Sequence, residues 1–437
     1  MTQTLSPAPL LSGTVLLPGD KSISHRYAML AAIAEETSVI ENFAASRDCH
    51  STLACLQALG VEVEERGQTV TIRGRGLRGL KTPGQVLDAG NSGTTIRLLS
   101  GILAGHPFES SITGDESLSN RPMGRIIQPL RLMGAAIEAR ARELPPLRIR
   151  GGSLKGIRYS LPVASAQVKS CVLFAGLYGS APTTVEETIP TRDHSEIALK
   201  EFGGALRFQG NWIEVDPEPR LRGRHLVVPG DLSGAAFFLV AAALVPNSEL
   251  SLPGVGLNGR RRELLDYLVR AGLDLKVENE IAIAGEPRGD LRVRYSPELL
   301  QRPLPPICGE QVANLIDEIP VLAVLGSQAA GGLKISDAHE LRVKESDRIS
   351  AIVTNLRAMG IEVEEKADGL SMPGGQQLRG ADIITRNDHR IAMAFAVAAL
   401  AAEGETRIHN PECADVSFPG FWKALWNVAA KTVGKAG

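Results

Sequence analysis

Apolar residues along the chain fall into two recurring patterns. In the first, an amphipathic stretch ends in a small residue and a glycine and is followed by two short alternating runs. It reads LQALGVEVEERGQTVTIRG up to Gly74 and LRLMGAAIEARARELPPLRIRG up to Gly151, and returns as KEFGGALRFQGNWIEV, LVRAGLDLKVENEIAIAG and LRAMGIEVEEKADGLSMPG. Glycine just past a helix takes the left-handed conformation at little cost, so Gly60, Gly134, Gly204, Gly272 and Gly360 are read as helix ends. Runs such as VEVEE and TVTIR alternate as half-buried strands do. The second pattern is a stretch apolar nearly all round, with polar residues only at its N-terminal end. It occurs as DKSISHRYAMLAAIA, GNSGTTIRLLSGILA, ASAQVKSCVLFAGL, GDLSGAAFFLVAAAL, DEIPVLAVLGSQAA and NDHRIAMAFAVAALA. Helices without a polar face belong inside a layered domain.

Together the two patterns make a repeat of about seventy residues that occurs about six times. LLPGD at 16–20 returns as VVPGD at 227–231, three repeats later, which divides the chain into two halves of three. The last repeat has a helix, SFPGFWKALWNV, without a following strand pair, while the N-terminus offers a spare strand at 13–17. Both termini are therefore expected in one domain, formed by 1–18 and 230–437, with 19–229 as the second. A chain of 437 residues is too long for one ordinary core.

Composition acts by exclusion. Apolar residues reach 43%, enough for sizeable cores. Lys and Arg total 47 against 49 Asp and Glu, so no global excess of charge points to nucleic acid or an anionic membrane, and any anion site must be local. Cys49, Cys55, Cys171, Cys308 and Cys413 are odd in number and lack CxxC spacing, which predicts a reducing compartment without disulfides or a thiolate metal cluster. The N-terminal stretch has no basic region, and no apolar run reaches the roughly 18 residues of a membrane helix, so a soluble cytoplasmic protein is expected. Eight histidines without close ligand spacing predict no metal site.

Two motifs invite a nucleotide and both fail. RGRGLRG, with Gly74, Gly76 and Gly79, matches GxGxxG, but Pro83 follows and no long helix opens behind it, so a turn after a strand is the better reading. PGDKS ends like a P-loop, yet Asp20 stands where the second glycine should precede the lysine. Lys21 and Ser22 still lie at a helix N-terminus, where free N–H groups and the dipole favour an anion by about 0.3–1 kcal/mol. The bland alternative is a surface lysine beside a Ser22 cap.

Other polar starts repeat the theme. Asn91 and Ser92 are cap candidates, and Gly93 lets a ligand approach the backbone. Ser165, Gln167 and Lys169 can orient an oxygen-rich ligand. SNRPMGR, TRDHSEI and ELRVKESDR place Arg121, Arg192, Arg342 and Arg348 at starts of the amphipathic helices, where the guanidinium fork suits phosphate and carboxylate. Lys344 and Arg348 are i and i+4, with Glu345 beside them; a charge ladder on one helix face is the alternative. Asp317 and Glu318 head an apolar helix as caps or, facing a substrate hydroxyl, as a general base. Arg390 stands at the last start.

PGDKSISHR, GNSGTTIR, SNRPMG, SAQVKS, TRDH, LIDEIPVLA, RVKESDR and NDHRIAM, in this order, resemble the 5-enolpyruvylshikimate-3-phosphate synthase (3-phosphoshikimate 1-carboxyvinyltransferase) family of enolpyruvyl transferases over nearly the whole chain. The resemblance implies an α/β (α+β) fold, a two-domain inside-out α/β barrel of six βαβαββ units, three per domain, with the active site in the interdomain cleft. It implies transfer of the enolpyruvyl group of phosphoenolpyruvate to the 5-hydroxyl of shikimate 3-phosphate, with release of phosphate, on the way to chorismate and the aromatic amino acids. By motif, Lys21, Ser22, Arg26, Ser165, Gln167, Arg192, Asp317 and Lys344 would hold shikimate 3-phosphate, and Lys21, Gly93, Arg121, Gln167, Arg348 and Arg390 phosphoenolpyruvate. Asp317 and Glu345 fit the base and acid, with Lys21 as a proton partner. No cofactor and no metal are implied, nor any nucleic acid or membrane partner, and a site between two domains of one chain needs no second subunit, so a monomer is expected.

Two departures stand out. Val416 occupies the place of a lysine in the AKTFP segment of some members, and Ser165–Ala166–Gln167 replaces Ser-Ser-Gln. TRDH, RVKESDR and IDEIP look more like the class that includes glyphosate-tolerant enzymes, whereas Gly93 is the residue of glyphosate-sensitive members, which leaves the glyphosate response open. The nearest rival is the sister transferase acting on UDP-N-acetylglucosamine, which uses a loop cysteine that 114–124 lacks. A non-catalytic repeat scaffold is the rival from another class, and it would have no reason to place Lys21, Asp317, Glu345 and Arg348 at helix ends.

Overall fold

A computed structural model of the protein describes residues 1–429. The chain forms two compact lobes. An inserted lobe comprises Gly19–Val228 and Ala282–Glu286, and a terminal lobe comprises Met1–Pro18, Pro229–Ile281 and the described residues from Pro287 to Ala429. The five residues 282–286, at the turn of a long hairpin, belong with the inserted lobe, which no pattern in the sequence announces.

The apolar stretches form the buried helices α1 (Lys21–Ile33), α2 (Gly93–Ala104) and α3 (Ala166–Gly176) of the inserted lobe, and α4 (Leu232–Leu244), α5 (Ile319–Gln328) and α6 (His389–Ala401) of the terminal lobe. In the inserted lobe α2 packs against both α1 and α3; in the terminal lobe all three helices pack on one another. Every residue of α4 is buried, which explains why its sequence has no polar face. Each lobe has its own apolar core around its three helices.

Around the helices lie open sheets, four of them four-stranded with one shared strand order and two three-stranded among the described residues. In the second repeat, Leu87–Asp88 runs parallel to Glu109–Thr113, which pairs antiparallel with Leu144–Arg150, which pairs in turn with Ala136–Arg140. The third repeat has the same order through Arg158–Ser160, Thr183–Glu186, Trp212–Val215 and Leu206–Gln209. The first repeat lacks a leading strand of its own and borrows His225–Val227 from the end of the lobe, parallel to Thr37–Glu41. The sheets stay separate, and none closes on itself among the described residues.

The terminal lobe completes its repeats differently. Ser12–Thr14 pairs parallel with Glu249–Gly256, so the strand expected at 13–17 serves the fourth repeat. The strand that fills the last repeat is Thr2–Leu5, antiparallel to Thr406–His409. The run TQTL buries only Leu5 fully, so its periodicity is nearly silent. A second correction concerns Gly204. The helix His194–Phe202 ends on Gly203, whose φ of 98° is left-handed, and Gly204 follows it; two adjacent glycines satisfy the same sequence rule, and backbone geometry chose the first. The RGRG segment is a turn: the N–H groups of Gly74, Arg75 and Gly76 donate to the carbonyls of Glu36, Ala32 and Ala34 near the end of α1.

Candidate active site

In the inserted lobe the starts of α1, α2 and α3 are tied together by side-chain hydrogen bonds. Asp20, not Ser22, caps α1, its carboxylate accepting from the Ile23 N–H at 2.9 Å. That leaves Ser22 part-exposed on the first turn, with its carbonyl accepting from Arg26 Nη1 at 2.7 Å. Lys21 extends its ammonium to Asp48 at 2.8 Å. Arg26 is buried and donates from Nε to Ser195 at 2.6 Å and from Nη2 to Ser170 at 3.0 Å. Burial pulls its pKa down to about 10, opposed by Glu196 and Asp20 and reinforced by the like charge of Arg192, so the guanidinium stays charged at neutral pH.

Ser92 caps α2, accepting from the Thr95 N–H at 3.0 Å. Asn91 instead bonds through its side chain to Asp115 and, through Oδ1, to Arg121 Nη2 at 2.7 Å. A Cβ on Gly93 would lie 3.0 Å from Arg97 Nη1 and 3.5 Å from Arg121 Nη1, so the bare backbone leaves room between two guanidiniums. Gln167, on the first turn of α3, accepts from Arg97 at 2.6 Å and donates to Thr94 at 3.0 Å. Ser165 caps α3, accepting from Val168 N–H at 3.4 Å. Lys169 is fully buried between Glu187 and Glu196 and so cannot touch a ligand directly. Below these groups a chain of hydroxyls runs from His25 Nδ1 through Thr52 and Thr95 to Ser92, each step 2.7 Å. Burial, with Lys21 and Arg26 adding to it, holds His25 well below its usual pKa and therefore neutral.

In the terminal lobe the starts of α4, α5 and α6 gather acids around arginines. Arg348 is 1% exposed; its Nε donates to Asp388 at 2.8 Å, its Nη2 to Glu345 at 2.6 Å, and its Nη1 lies 3.5 Å from Asp317. Although burial acts against the charged form, Asp388, Glu345 and Asp317 raise its pKa above the ordinary arginine value. Asp388 caps α6, accepting from the Arg390 N–H, and is held as a carboxylate against its own burial chiefly by Arg348. Arg390 donates to the Asp317 carbonyl at 2.9 Å. Glu318 accepts from Ser233 at 2.5 Å and from Arg261 at 3.3 Å.

Several expectations change here. Neither Asp317 nor Glu318 caps α5 with its side chain. Lys344 lies outside the helix Arg348–Ala358, so the i, i+4 face does not exist; the two cations meet instead on Asp317, 4.0 Å from Lys344 Nζ. Arg342 is occupied by Asp347 and Glu365. Sequence reasoning missed Asp48, Arg97, Asp388 and the Arg261 and Ser233 partners of Glu318. Arg97 carried a signal, a lone cation inside an apolar helix, whereas the partners of Glu318 come from distant segments. Among the described residues no cluster of His, Cys, Asp and Glu is arranged to hold a metal ion, and no helix is long and apolar enough to cross a membrane.

Known proteins resemble the chain along nearly its whole length. Residues 6–425 match the family model for EPSP synthase (3-phosphoshikimate 1-carboxyvinyltransferase). The chain is 53% identical over 429 residues to the 3-phosphoshikimate 1-carboxyvinyltransferase of Solibacter usitatus, covering 98% of this chain and 100% of that one. The solved EPSP synthase of Acinetobacter baumannii superposes with a TM-score of 0.85 at 42% identity, over 98% of both chains. The enolpyruvyl transferase NikO of Streptomyces tendae shares the fold at a TM-score of 0.73 and 18% identity, over 97% of this chain and 96% of that one. The chain belongs to the EPSP synthase (3-phosphoshikimate 1-carboxyvinyltransferase) family.

Proposed function

We propose that the protein transfers the enolpyruvyl group of phosphoenolpyruvate to the 5-hydroxyl of shikimate 3-phosphate and releases phosphate, within the shikimate pathway to chorismate and the aromatic amino acids. The observation that carries this reading is the pairing of Asp317 and Glu345 with one buried cation, Arg348, while both carboxylates keep part of their surface open, at 17% and 21%. Two acids held apart in role by one arginine suit a reaction that removes a proton from a hydroxyl and delivers one to a carbon.

Lys21, Ser22, Arg26, Ser165, Gln167 and Arg192 of the inserted lobe, with Asp317 and Lys344, are assigned to shikimate 3-phosphate. Lys21, Gly93, Arg121, Gln167, Arg348 and Arg390 are assigned to phosphoenolpyruvate. The 5-hydroxyl oxygen attacks C2 of phosphoenolpyruvate as its proton passes to one carboxylate, and the methylene C3 takes a proton from the other, giving a tetrahedral intermediate. Loss of a C3 proton then restores the double bond as the C2–O bond to phosphate breaks. The leaving phosphate departs as an anion, its developing charge stabilised by the lysine and arginine side chains assigned to phosphoenolpyruvate. One chain supplies every residue named, so a monomer is proposed, and the five cysteines, all unpaired, suit a cytoplasmic location.

The test is phosphate release from the purified protein. Release is expected only when both substrates are present, and to persist in a metal chelator. Turnover with UDP-N-acetylglucosamine in place of shikimate 3-phosphate would overturn the substrate assignment.

A further inference from the structure

Lys169 lies on α3, one turn beyond Ser165 and two residues after Gln167, with no exposed surface. A lysine so buried is expensive unless paired, and this one is paired twice: its Nζ is 2.9 Å from Glu187 and 2.6 Å from Glu196. A third bond at 3.5 Å goes to the carbonyl of Thr191. Glu187 in turn accepts from the Thr191 N–H at 3.0 Å and from the Thr191 hydroxyl. The backbone of Thr191 is thereby gripped on both sides, by the ammonium at its carbonyl and by Glu187 at its N–H. The next residue is Arg192. After it, the helix His194–Phe202 begins, carrying Glu196 back to Lys169 and Ser195 to Arg26.

From this geometry we infer that Lys169 is a positioning residue: it sets Arg192 for shikimate 3-phosphate by anchoring the 187–196 segment, without touching the substrate. This rests on the assignment of Arg192 to that substrate. A buried charge is a stiff anchor because both carboxylates lose their counter-charge if the segment moves, whereas an apolar residue of the same length would let Thr191 slide.

The test measures kcat and both KM values, at equal folded concentration, for the full-length protein and its variants Lys169→Met, Lys169→Met with Glu196→Gln, Arg192→Gln, and Lys169→Met with Arg192→Gln. Glu196→Gln removes a carboxylate that Lys169→Met alone would strand, so the second variant keeps the test available if the first does not fold. Lys169→Met, alone or with Glu196→Gln, is expected to raise KM for shikimate 3-phosphate by roughly tenfold or more, with KM for phosphoenolpyruvate and kcat changed less than about threefold. Added to Arg192→Gln it should raise KM no further, because both act through one contact. A folded Lys169 variant with unchanged KM, or an effect that multiplies with that of Arg192→Gln, overturns the inference while leaving Arg192 in the site. An Arg192→Gln variant with unchanged KM overturns the assignment of Arg192 and the role of Lys169 with it.

Discussion

At the scale of single residues, Glu345 and His25 make opposite kinds of claim. Glu345 sits at 2.6 Å from Arg348 with part of its surface open, and glutamine keeps its size and its acceptor oxygen. Glu345→Gln should therefore fold like the parent and lose turnover by roughly 10²–10⁴, read as kcat at saturating substrates; an unchanged kcat removes it from the chemistry. His25 concerns stability. Its folded pKa lies well below 6.5, so the unfolded chain binds a proton that the folded chain refuses. The stabilisation is full above about pH 6.5 and is lost as pH falls toward the folded value. Denaturant melts between about pH 7 and pH 5 should show falling stability, with a shallower slope for His25→Gln; His106, lowered by burial in the same direction, keeps the slope from vanishing. The family resemblance singled out Glu345, but nothing in SISHR distinguishes a buried neutral histidine from a surface one.

At the scale of elements, helix ends were more legible than strand partners. The apolar stretches became α1 to α6 because a helix without a polar face has only the interior to occupy, and their caps at Asp20, Ser92, Ser165, Asp231 and Asp388 follow from short polar side chains at first turns. Which residue caps was less legible: Ser22 and Asp20 are both good caps, and the helix starts earlier than a Ser22 cap requires. Gly203 makes the point energetically. A Cβ there would meet only the Arg220 carbonyl at 3.4 Å, so space is adequate and left-handed strain is the whole cost. Gly203→Ala should destabilise by about 1–2 kcal/mol in thermal or denaturant melts. A neutral effect would mean that the helix end relaxes.

At the scale of the whole molecule, both lobes are completed by strands remote in sequence. Thr2–Leu5 belongs to the sheet of residues 382–409, and Leu5 is fully buried. Leu5→Ala should cost about 2–5 kcal/mol. Hydrogen exchange should rise first in 382–409, which separates loss of this strand from general weakening. The chain's internal repetition, its apolar helices with polar starts and its motif order were determined by the sequence alone, because periodicity and local capping act over a few residues. Tertiary structure decided the rest. It chose Asp20 over Ser22 and Gly203 over Gly204. It drew Lys344 and Arg348 onto Asp317 without a shared helix, buried Lys169 between two acids, and gave 282–286 to the inserted lobe. Most of these depend on groups far apart along the chain, and the energy of such a pairing is carried by burial and distance, which no stretch of sequence contains by itself.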